Sequence, residues 1–136
     1  MEEARFGCWI EERIRNTDTD QFGHVNNTAI AGYCEAGRIA LFAGSDLEAE
    51  MAPFTIVVAR LLIEFKAELF YPGHVRIGSR VDAFGRSSAA ITQTLLGPTG
   101  LVATSEAVCV LKARTDGIAA RVPDAVRLAL GHGERA

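Results

Sequence analysis

Four segments of alternating apolar and polar residues fill the second half of the chain, and they restrict its fold more than any other feature. The first, TIVVARLLIEFKAEL, runs from Thr55 to Leu69 and is followed by the turn signal YPG. HVRIGSRVDAF, SAAITQTLL and LVATSEAVCVLKA come next, joined by short connections that begin at Gly85 and Gly97. Alternation with period two is typical of strands, and short turns join antiparallel neighbours. The pattern therefore predicts four antiparallel strands.

The first of these strands is expected to be buried on one face and increasingly wet on the other toward its end. The charged side chains of Arg60, Glu64, Lys66 and Glu68 alternate with the apolar set. We expect the buried face to be formed by Val57, Ala59, Leu61, Ile63, Phe65, Ala67 and Leu69.

The first half of the chain adds a strand and a helix. In ARFGCWIEERIRN, alternation of Phe6, Cys8 and Ile10 predicts a strand. In TAIAGYCEAGRIALFAG, apolar and small residues recur at helical spacing, at Ile30, Tyr33, Cys34, Gly37, Ala40 and Leu41. A short terminal helix is predicted from Asp124 to Leu130, after a proline.

Two further expectations concern the predicted long helix. Glu35 and Arg38 are spaced as an i,i+3 ion pair on the side away from the apolar face. Gly37 lies in the middle of the helix, where glycine costs roughly 1 kcal/mol relative to alanine. We therefore expect Gly37 to allow close approach of the helix to its neighbour.

The order of elements predicts an α+β fold, with one helix laid on a single face of a five-stranded antiparallel sheet. A chain of 136 residues with 49% apolar composition suits one domain, residues 1–136. Because such a sheet leaves edges and a face uncovered, we expect a homodimer, with a dimer of dimers as an open alternative.

Charge and cysteine content exclude several classes of protein. The net charge is −3 and the arginines are scattered, so the basic stripe of a nucleic-acid binder is absent. Cys8, Cys34 and Cys109 are too sparse for a disulfide framework, and no apolar run has the length of a membrane span. The acidic start MEEARF differs from a signal peptide. We therefore expect a cytoplasmic protein with reduced thiols.

The stretch DTDQFGHVNN, between the first strand and the helix, is the candidate functional segment. It resembles the start of a calcium-binding EF-hand loop, but Phe22 and Ala29 occupy positions that need oxygen ligands. Zinc is disfavoured because His24, His74 and His132 are far apart and no cysteine has ligand spacing. The segment therefore predicts no metal site.

Two interpretations of this stretch stay open on the residues alone. Asp and Asn favour turns and helix N-caps, so that Asp20, Asn26 or Asn27 is expected to cap the helix. The alternative is catalytic, because a helix N-terminus offers unpaired N–H groups that can stabilise an oxyanion. A carboxylate a few residues earlier could then attack a carbonyl or activate water.

The pattern R-x-x-D-x-D-x-x-G-H-V-N-N, from Arg15 to Asn27 and continuing to Tyr33, Glu35 and Arg38, resembles the signature of the 4-hydroxybenzoyl-CoA thioesterase family. The similarity extends to LFYPGHVRIGSRV, the GRSS turn and the VPDAVR tail. It implies a hotdog fold, in which the five-stranded antiparallel sheet wraps around one long helix and dimerises into a continuous sheet. It also implies acyl-CoA thioesterase activity, without a metal or redox cofactor.

The resemblance also implies roles for individual residues. It places the catalytic carboxylate on Asp20 and the oxyanion-binding backbone N–H on Asn27. Gly23 would permit a tight turn, and His24 would orient Asp20 or line the thioester pocket. Arg15 and Asp18 would support the loop. Binding of substrate is implied for four residues, Tyr33, Arg86, Ser87 and Ser88.

Several residues keep a plainer interpretation. Arg86, Ser87 and Ser88 could form an ordinary polar hairpin rather than a site for the phosphates or pantetheine of CoA. Cys34 is better interpreted as a small buried residue than as a nucleophile. Glu35 is a weaker candidate for the carboxylate, since it is expected to pair with Arg38. The family often has tyrosine at Ile30, which leaves the acyl preference open.

An acyl-CoA thioesterase is thus the function that the sequence favours. A non-catalytic module that binds acyl-CoA or an acyl-carrier protein is the alternative, because the same cleft can hold a thioester without hydrolysing it. A hydratase acting on an enoyl thioester is disfavoured, since no separate Asp–His pair is visible in the sequence.

Overall fold

The computed structural model describes residues 5–44 and 46–131. Its strands are β1 (Cys8–Ile14), β2 (Phe54–Phe65), β3 (Gly73–Phe84), β4 (Ser88–Gly97) and β5 (Gly100–Ala113). Its helices are α1 (Asn27–Phe42), α2 (Glu48–Met51) and α3 (Asp124–Leu130). The predicted order of elements is confirmed, but α2 was not predicted. Residues 1–4, 45 and 132–136, including His132, lie outside the described residues.

All five strands form one antiparallel sheet in the order β1-β3-β4-β5-β2. The tight connections from β3 to β4 and from β4 to β5 join sheet neighbours, as short turns require. The long segment that contains α1 instead carries the chain from β1 to the opposite edge, at β2. The predicted α+β class is therefore confirmed, although α1 has 16 residues and is accompanied by two shorter helices.

Helix α1 lies close to the sheet at Gly37. A Cβ atom added there would be 2.6 Å from Ile77 Cγ2 and 2.7 Å from Gln93 Nε2, well inside van der Waals contact. The prediction that Gly37 allows close approach is confirmed. The core continues on both sides of this contact, with Cys34 and Ile77 fully buried toward the start of α1 and Val126 of α3 fully buried toward its end.

Strand β2 departs from the predicted pattern of burial. None of its residues is buried, because it is an edge strand. Val58 pairs with Cys109 and Arg60 with Val108, so Ala59 is an extra, bulged residue. A bulge shifts the alternation by one, and it places Val57 and Leu61 on opposite faces. The single buried face predicted from Val57 to Leu69 was therefore wrong, and the strand ends at Phe65.

Candidate active site

The DTDQFGHVNN stretch forms a small hairpin-like loop between β1 and α1. Thr19 pairs with Val25, and the backbone N–H of Asp20 donates to the His24 carbonyl at 2.7 Å. Gly23 has φ +87°, a conformation that glycine adopts without the steric cost of a Cβ atom. The predicted tight turn at Gly23 is therefore present.

Backbone groups of the loop orient the Asp20 carboxylate. Its Oδ1 accepts hydrogen bonds from the backbone N–H of Phe22 at 2.8 Å and of His24 at 3.1 Å. Its Oδ2 accepts no hydrogen bond from the described residues, and the residue is exposed. One carboxylate oxygen is thus held in place while the other is available to react.

The start of α1 supplies the second element of the candidate site. Asn26 is the N-cap, and its Oδ1 accepts from the Ala29 backbone N–H at 2.7 Å. The three candidates for the cap thus reduce to Asn26. Asn27 is the first helical residue and is exposed, and its backbone N–H donates to no other backbone group in the described part of the chain. That N–H is free to polarise a carbonyl.

The imidazole of His24 has a partner that sequence reasoning missed. Its Nε2 lies 3.4 Å from Glu68 Oε2, and its ring lies edge-on to Phe70 with centroids 5.2 Å apart. His24 holds Asp20 through its backbone N–H, whereas its side chain faces the segment after β2. Nothing in the local spacing signals this contact, because the bridge between His24 and Phe70 joins segments that are distant in sequence.

Tyr33 and Asp18 tie the loop to the helix. Tyr33 is buried, and its hydroxyl donates to Asp18 Oδ2 at 2.6 Å. Burial raises the pKa of Tyr33, and the hydrogen bond to Asp18 raises it further. Asp18 Oδ2 also accepts from the Arg15 backbone N–H at 2.9 Å. The Tyr33 hydroxyl is thus engaged with Asp18 inside the protein. The predicted contact of Tyr33 with substrate stays a prediction.

The fold of the single chain does not bring the Arg86–Ser88 turn near Asp20. The turn follows β3, whose 12 residues span roughly 35 Å at about 3.3 Å per residue. The other end of β3 follows Phe70, which lies against His24 of the loop. The two groups of predicted site residues therefore lie at opposite ends of the sheet.

Contacts from α3 hold the Arg86 turn in place. Arg127 Nη2 donates to the carbonyl groups of Gly85 at 2.7 Å and Arg86 at 3.0 Å. The Val122 backbone N–H also donates to the Arg86 carbonyl, at 2.8 Å. The side chain of Arg86 is exposed and has no ion pair within the described ranges. Its predicted role in binding CoA stays a prediction.

A buried polar cluster, formed by Arg38, Ser79 and Gln93, lies beneath α1. Arg38 is only 7% exposed, and its Nη1 donates to Gln93 Oε1 at 3.3 Å. Gln93 Nε2 donates in turn to the Cys34 carbonyl at 2.8 Å and to Ser79 Oγ at 3.0 Å. The expected ion pair of Arg38 with Glu35 was wrong, because Arg38 turns toward the sheet while Glu35 is exposed.

Other features of the described residues bear on metal and thiol chemistry. Across residues 5–44 and 46–131, no group of three or more His, Cys, Asp or Glu side chains could hold a metal ion. No helix in the same ranges is long and apolar enough to cross a membrane. Burial raises the pKa of Cys34 and Cys109, which disfavours the thiolate form that a nucleophile needs.

Comparisons with known proteins identify a family and a fold. The sequence profile of the Thioesterase-like superfamily matches residues 14–130. A search of curated proteins finds no significant match. A thioesterase from Thermus thermophilus, solved in complex with coenzyme A and zinc, is 28% identical and superposes with a TM-score of 0.81, covering 96% of this chain and 97% of that one.

Two proteins from Pseudomonas aeruginosa have the same fold. The PA2801 protein is 26% identical with a TM-score of 0.81, covering 91% of this chain and 98% of that one. The PA5185 protein of strain PAO1 has a TM-score of 0.83 at 21% identity, covering 93% of this chain and 91% of that one. At 21% identity, the PA5185 likeness supports the fold alone.

Proposed function

Because this chain belongs to the thioesterase-like superfamily, we propose that it hydrolyses an acyl-CoA thioester to a free acid and CoA. Coenzyme A as the thiol carrier is supported by the Thermus thermophilus relative, which was solved with coenzyme A. The observation that carries the proposal is the Asp20 carboxylate, which backbone N–H groups hold by Oδ1 while Oδ2 stays open.

The proposed chemistry uses Asp20 and the start of α1. The thioester oxygen accepts a hydrogen bond from the Asn27 N–H, which stabilises the negative charge that develops on that oxygen during attack. Asp20 Oδ2 either attacks the carbonyl carbon, forming an acyl anhydride that water then hydrolyses, or removes a proton from the attacking water. In both routes the C–S bond breaks and the CoA thiolate leaves. No metal or redox cofactor takes part.

The remaining loop residues act by position. Gly23 allows the turn that returns the His24 N–H to Asp20, and the Tyr33 hydroxyl holds Asp18, whose carbonyl accepts from the Asn26 N–H at 2.8 Å. His24 lines the thioester pocket with an imidazole that Glu68 orients. These contacts fix the loop relative to the helix start, and that geometry is what attack on a bound carbonyl needs.

We also propose a homodimer formed along β2. This edge strand exposes five large apolar side chains, which are Val57, Val58, Leu61, Leu62 and Phe65. An exposed apolar edge strand can pair with another chain, because its outer N–H and C=O groups lack partners within its own sheet. In an antiparallel β2–β2 pair related by a two-fold axis, the start of β2 in one copy lies beside the end of β2 in the other. The Arg86 turn of one copy would then approach the Asp20 loop of the other and meet the CoA phosphates.

The decisive experiment replaces Asp20→Asn and measures thiol release from a panel of acyl-CoA thioesters. Loss of a catalytic carboxylate lowers kcat by roughly 10²–10⁴-fold. Asp116→Asn is the matched control, because Asp116 is exposed and its carboxylate also accepts a local backbone N–H, from Ile118 at 2.9 Å. Turnover by Asp20→Asn at the rate of Asp116→Asn would contradict the mechanism. Tight binding without turnover by the unmodified protein would instead favour a binding module.

Mixing variants tests the shared site. Asp20→Asn and Arg86→Ala chains are each expected to be weak alone, but a mixed dimer combines an intact Asp20 with an intact Arg86 in one of its two sites. Activity should therefore recover after the chains are unfolded and refolded together. A monomer by sedimentation equilibrium, or a mixture no more active than its parts, would contradict the shared site.

A further inference from the structure

Arg38 is a buried cation that forms no ion pair within residues 5–44 and 46–131. It is 7% exposed, and its side chain makes one hydrogen bond in the described part of the chain, to the neutral amide of Gln93 at 3.3 Å. A guanidinium group carries five N–H donors, and most of these have no protein acceptor among residues 5–44 and 46–131. Burial of an ion without a counter-ion costs several kcal/mol. Ser105 Oγ is the one fully enclosed side-chain polar atom without a partner in these ranges, so the free N–H groups of Arg38 remain accessible to a ligand. This site therefore suits a negatively charged partner.

A cavity of about 160 Å³ adjoins Arg38 on the flank of α1. This volume is roughly that of five water molecules in the liquid, enough for a carboxylate and a short length of hydrocarbon. Apart from Arg38 and Glu35, its walls are apolar or a thiol, from Ile39, Phe42, Ile56, Val58 and Cys109. A mainly apolar pocket with a few charged groups is a typical site for a small ligand, and here the cation is the more buried of the two, since Arg38 is 7% exposed while Glu35 is exposed.

The cavity and the proposed oxyanion site both lie on α1. Asn27 and Arg38 are 11 positions apart, which is about three helical turns, so the two residues stand one above the other on the helix surface. The same spacing separates their backbones by roughly 16 Å along the axis. A thioester held at the Asn27 N–H could therefore extend its acyl chain along the helix to Arg38.

We propose that this cavity binds a carboxylate at the far end of the acyl chain, and that Arg38 selects substrates that carry it. The inference rests on the proposed thioesterase function. Arg38 can hold a carboxylate by two parallel N–H···O bonds, an arrangement that an ammonium group cannot reproduce. The apolar walls contributed by Ile56 and Val58 contact the preceding methylene groups. Glu35 lines the cavity but forms no ion pair with Arg38.

The first test compares two CoA thioesters of equal chain length, one ending in a carboxylate and one in a methyl group. Acyl chains long enough to reach from Asn27 to Arg38 are compared. The kcat/KM of the carboxylate-ended thioester should be about 10–100-fold higher than that of the methyl-ended one, which corresponds to the free energy of a hydrogen bond to a charged group. Arg38→Met should abolish or reverse this preference. Arg13→Met removes an exposed arginine from β1 and should keep it. A preference for the methyl end, or one that survives Arg38→Met, would overturn the inference.

Arg38→Lys provides a second test in case the Arg38→Met protein does not fold. It retains the positive charge but not the paired bonds, so the preference should fall several-fold without disappearing. Inorganic phosphate separates an acyl carboxylate from a free anion. If phosphate alone binds with an Arg38-dependent affinity that equals that of the carboxylate-ended thioester, the cavity is a general anion site and the inference fails.

Calorimetry distinguishes failure of this inference from failure of the proposed function. Binding of both thioesters is measured in Asp20→Asn protein, with and without Arg38→Met. Tighter binding of the carboxylate-ended thioester that depends on Arg38 supports the cavity even if no thioester is hydrolysed. Equal binding of both thioesters refutes the selection by Arg38, even if hydrolysis by Asp20 is established.

Discussion

Two polar regions of this molecule are built on opposite principles. The loop of residues 18–26 is exposed at its tip, residues 20–23, and backbone N–H groups hold its reactive candidate, Asp20. In the buried polar cluster of Arg38, Ser79 and Gln93, the last two residues are fully buried and Arg38 is 7% exposed, and side chains hold one another by hydrogen bonds. In the loop, a lost side chain can be replaced by water. In the cluster, a lost side chain leaves a buried polar atom of its partner without that hydrogen bond.

The difference teaches which region should control stability and which should control activity. An unsatisfied polar group costs about 1–3 kcal/mol when buried, and more when it is charged. The same loss at an exposed site is usually within about 0.5 kcal/mol. We therefore expect cluster substitutions to lower the free energy of unfolding, and loop substitutions to change catalysis with a smaller effect on stability.

The largest effect on stability is expected from Gln93→Met. This change keeps an unbranched side chain but leaves Arg38, Ser79 and the Cys34 carbonyl without their amide partner. The free energy of unfolding should fall by about 3 kcal/mol or more, because a buried charge loses its acceptor. Urea denaturation measures it. The same substitution at the exposed loop residue Gln21 should change stability by less than about 0.5 kcal/mol. Equal losses at both sites would show that burial of the cluster does not make it more important for stability than the loop.

Alanine at two glycines of α1 should act in opposite directions. At Gly37 the new Cβ would meet Ile77 and Gln93, so stability should fall by about 1–3 kcal/mol through overpacking. At Gly32 nothing lies within 4 Å, and alanine should stabilise the helix by about 0.5–1 kcal/mol. Thermal unfolding of the two variants checks this. A melting temperature that rises in both would show that the sheet yields beneath Gly37.

Tyr33→Phe tests the hydrogen bond that links α1 to the loop. Loss of the hydroxyl removes its bond to Asp18 and should lower the free energy of unfolding by about 1–2 kcal/mol. Because Asp18 positions the loop, kcat should also fall while KM changes less. Tyr71→Phe is the control, since Tyr71 is 44% exposed. A loss of stability with unchanged kcat would show that the loop keeps its geometry without this bond.

Gly23→Ala is expected to lower stability less than the cluster substitution Gln93→Met does. No atom lies within 4 Å of the new Cβ, so only the backbone strain at φ +87° opposes the change, at about 1 kcal/mol. The turn that presents the His24 N–H to Asp20 should loosen, and kcat should fall more than stability does. Gly7→Ala, which is also unobstructed but has no positive φ, provides the reference. If stability and activity fell to the same extent, Gly23 would be needed for the fold rather than for the position of Asp20.

Much of the fold was predictable because it is written in local patterns. Period-two alternation and the turn signals at Pro72 and Gly97 define strands β2 to β5, and helical spacing defines α1. The close approach at Gly37 was also predictable, since glycine in the middle of a helix is unfavourable unless the absence of a side chain allows close packing. The loop from Asp20 to Asn27 was identifiable as a candidate site because its residue types and spacing suit a turn before a helix start.

The tertiary structure decided what depends on contacts between distant segments. It placed Glu68 against His24, moved Arg38 from an expected surface pair into the interior, and inserted a bulge at Ala59. It also separated Arg86 from Asp20 by the length of a strand. Local periodicity determines which element a residue joins, since it reflects φ, ψ and the direction of each side chain. The sheet register and the position of α1 on the sheet determine which residues meet, and both arise from packing of the whole chain.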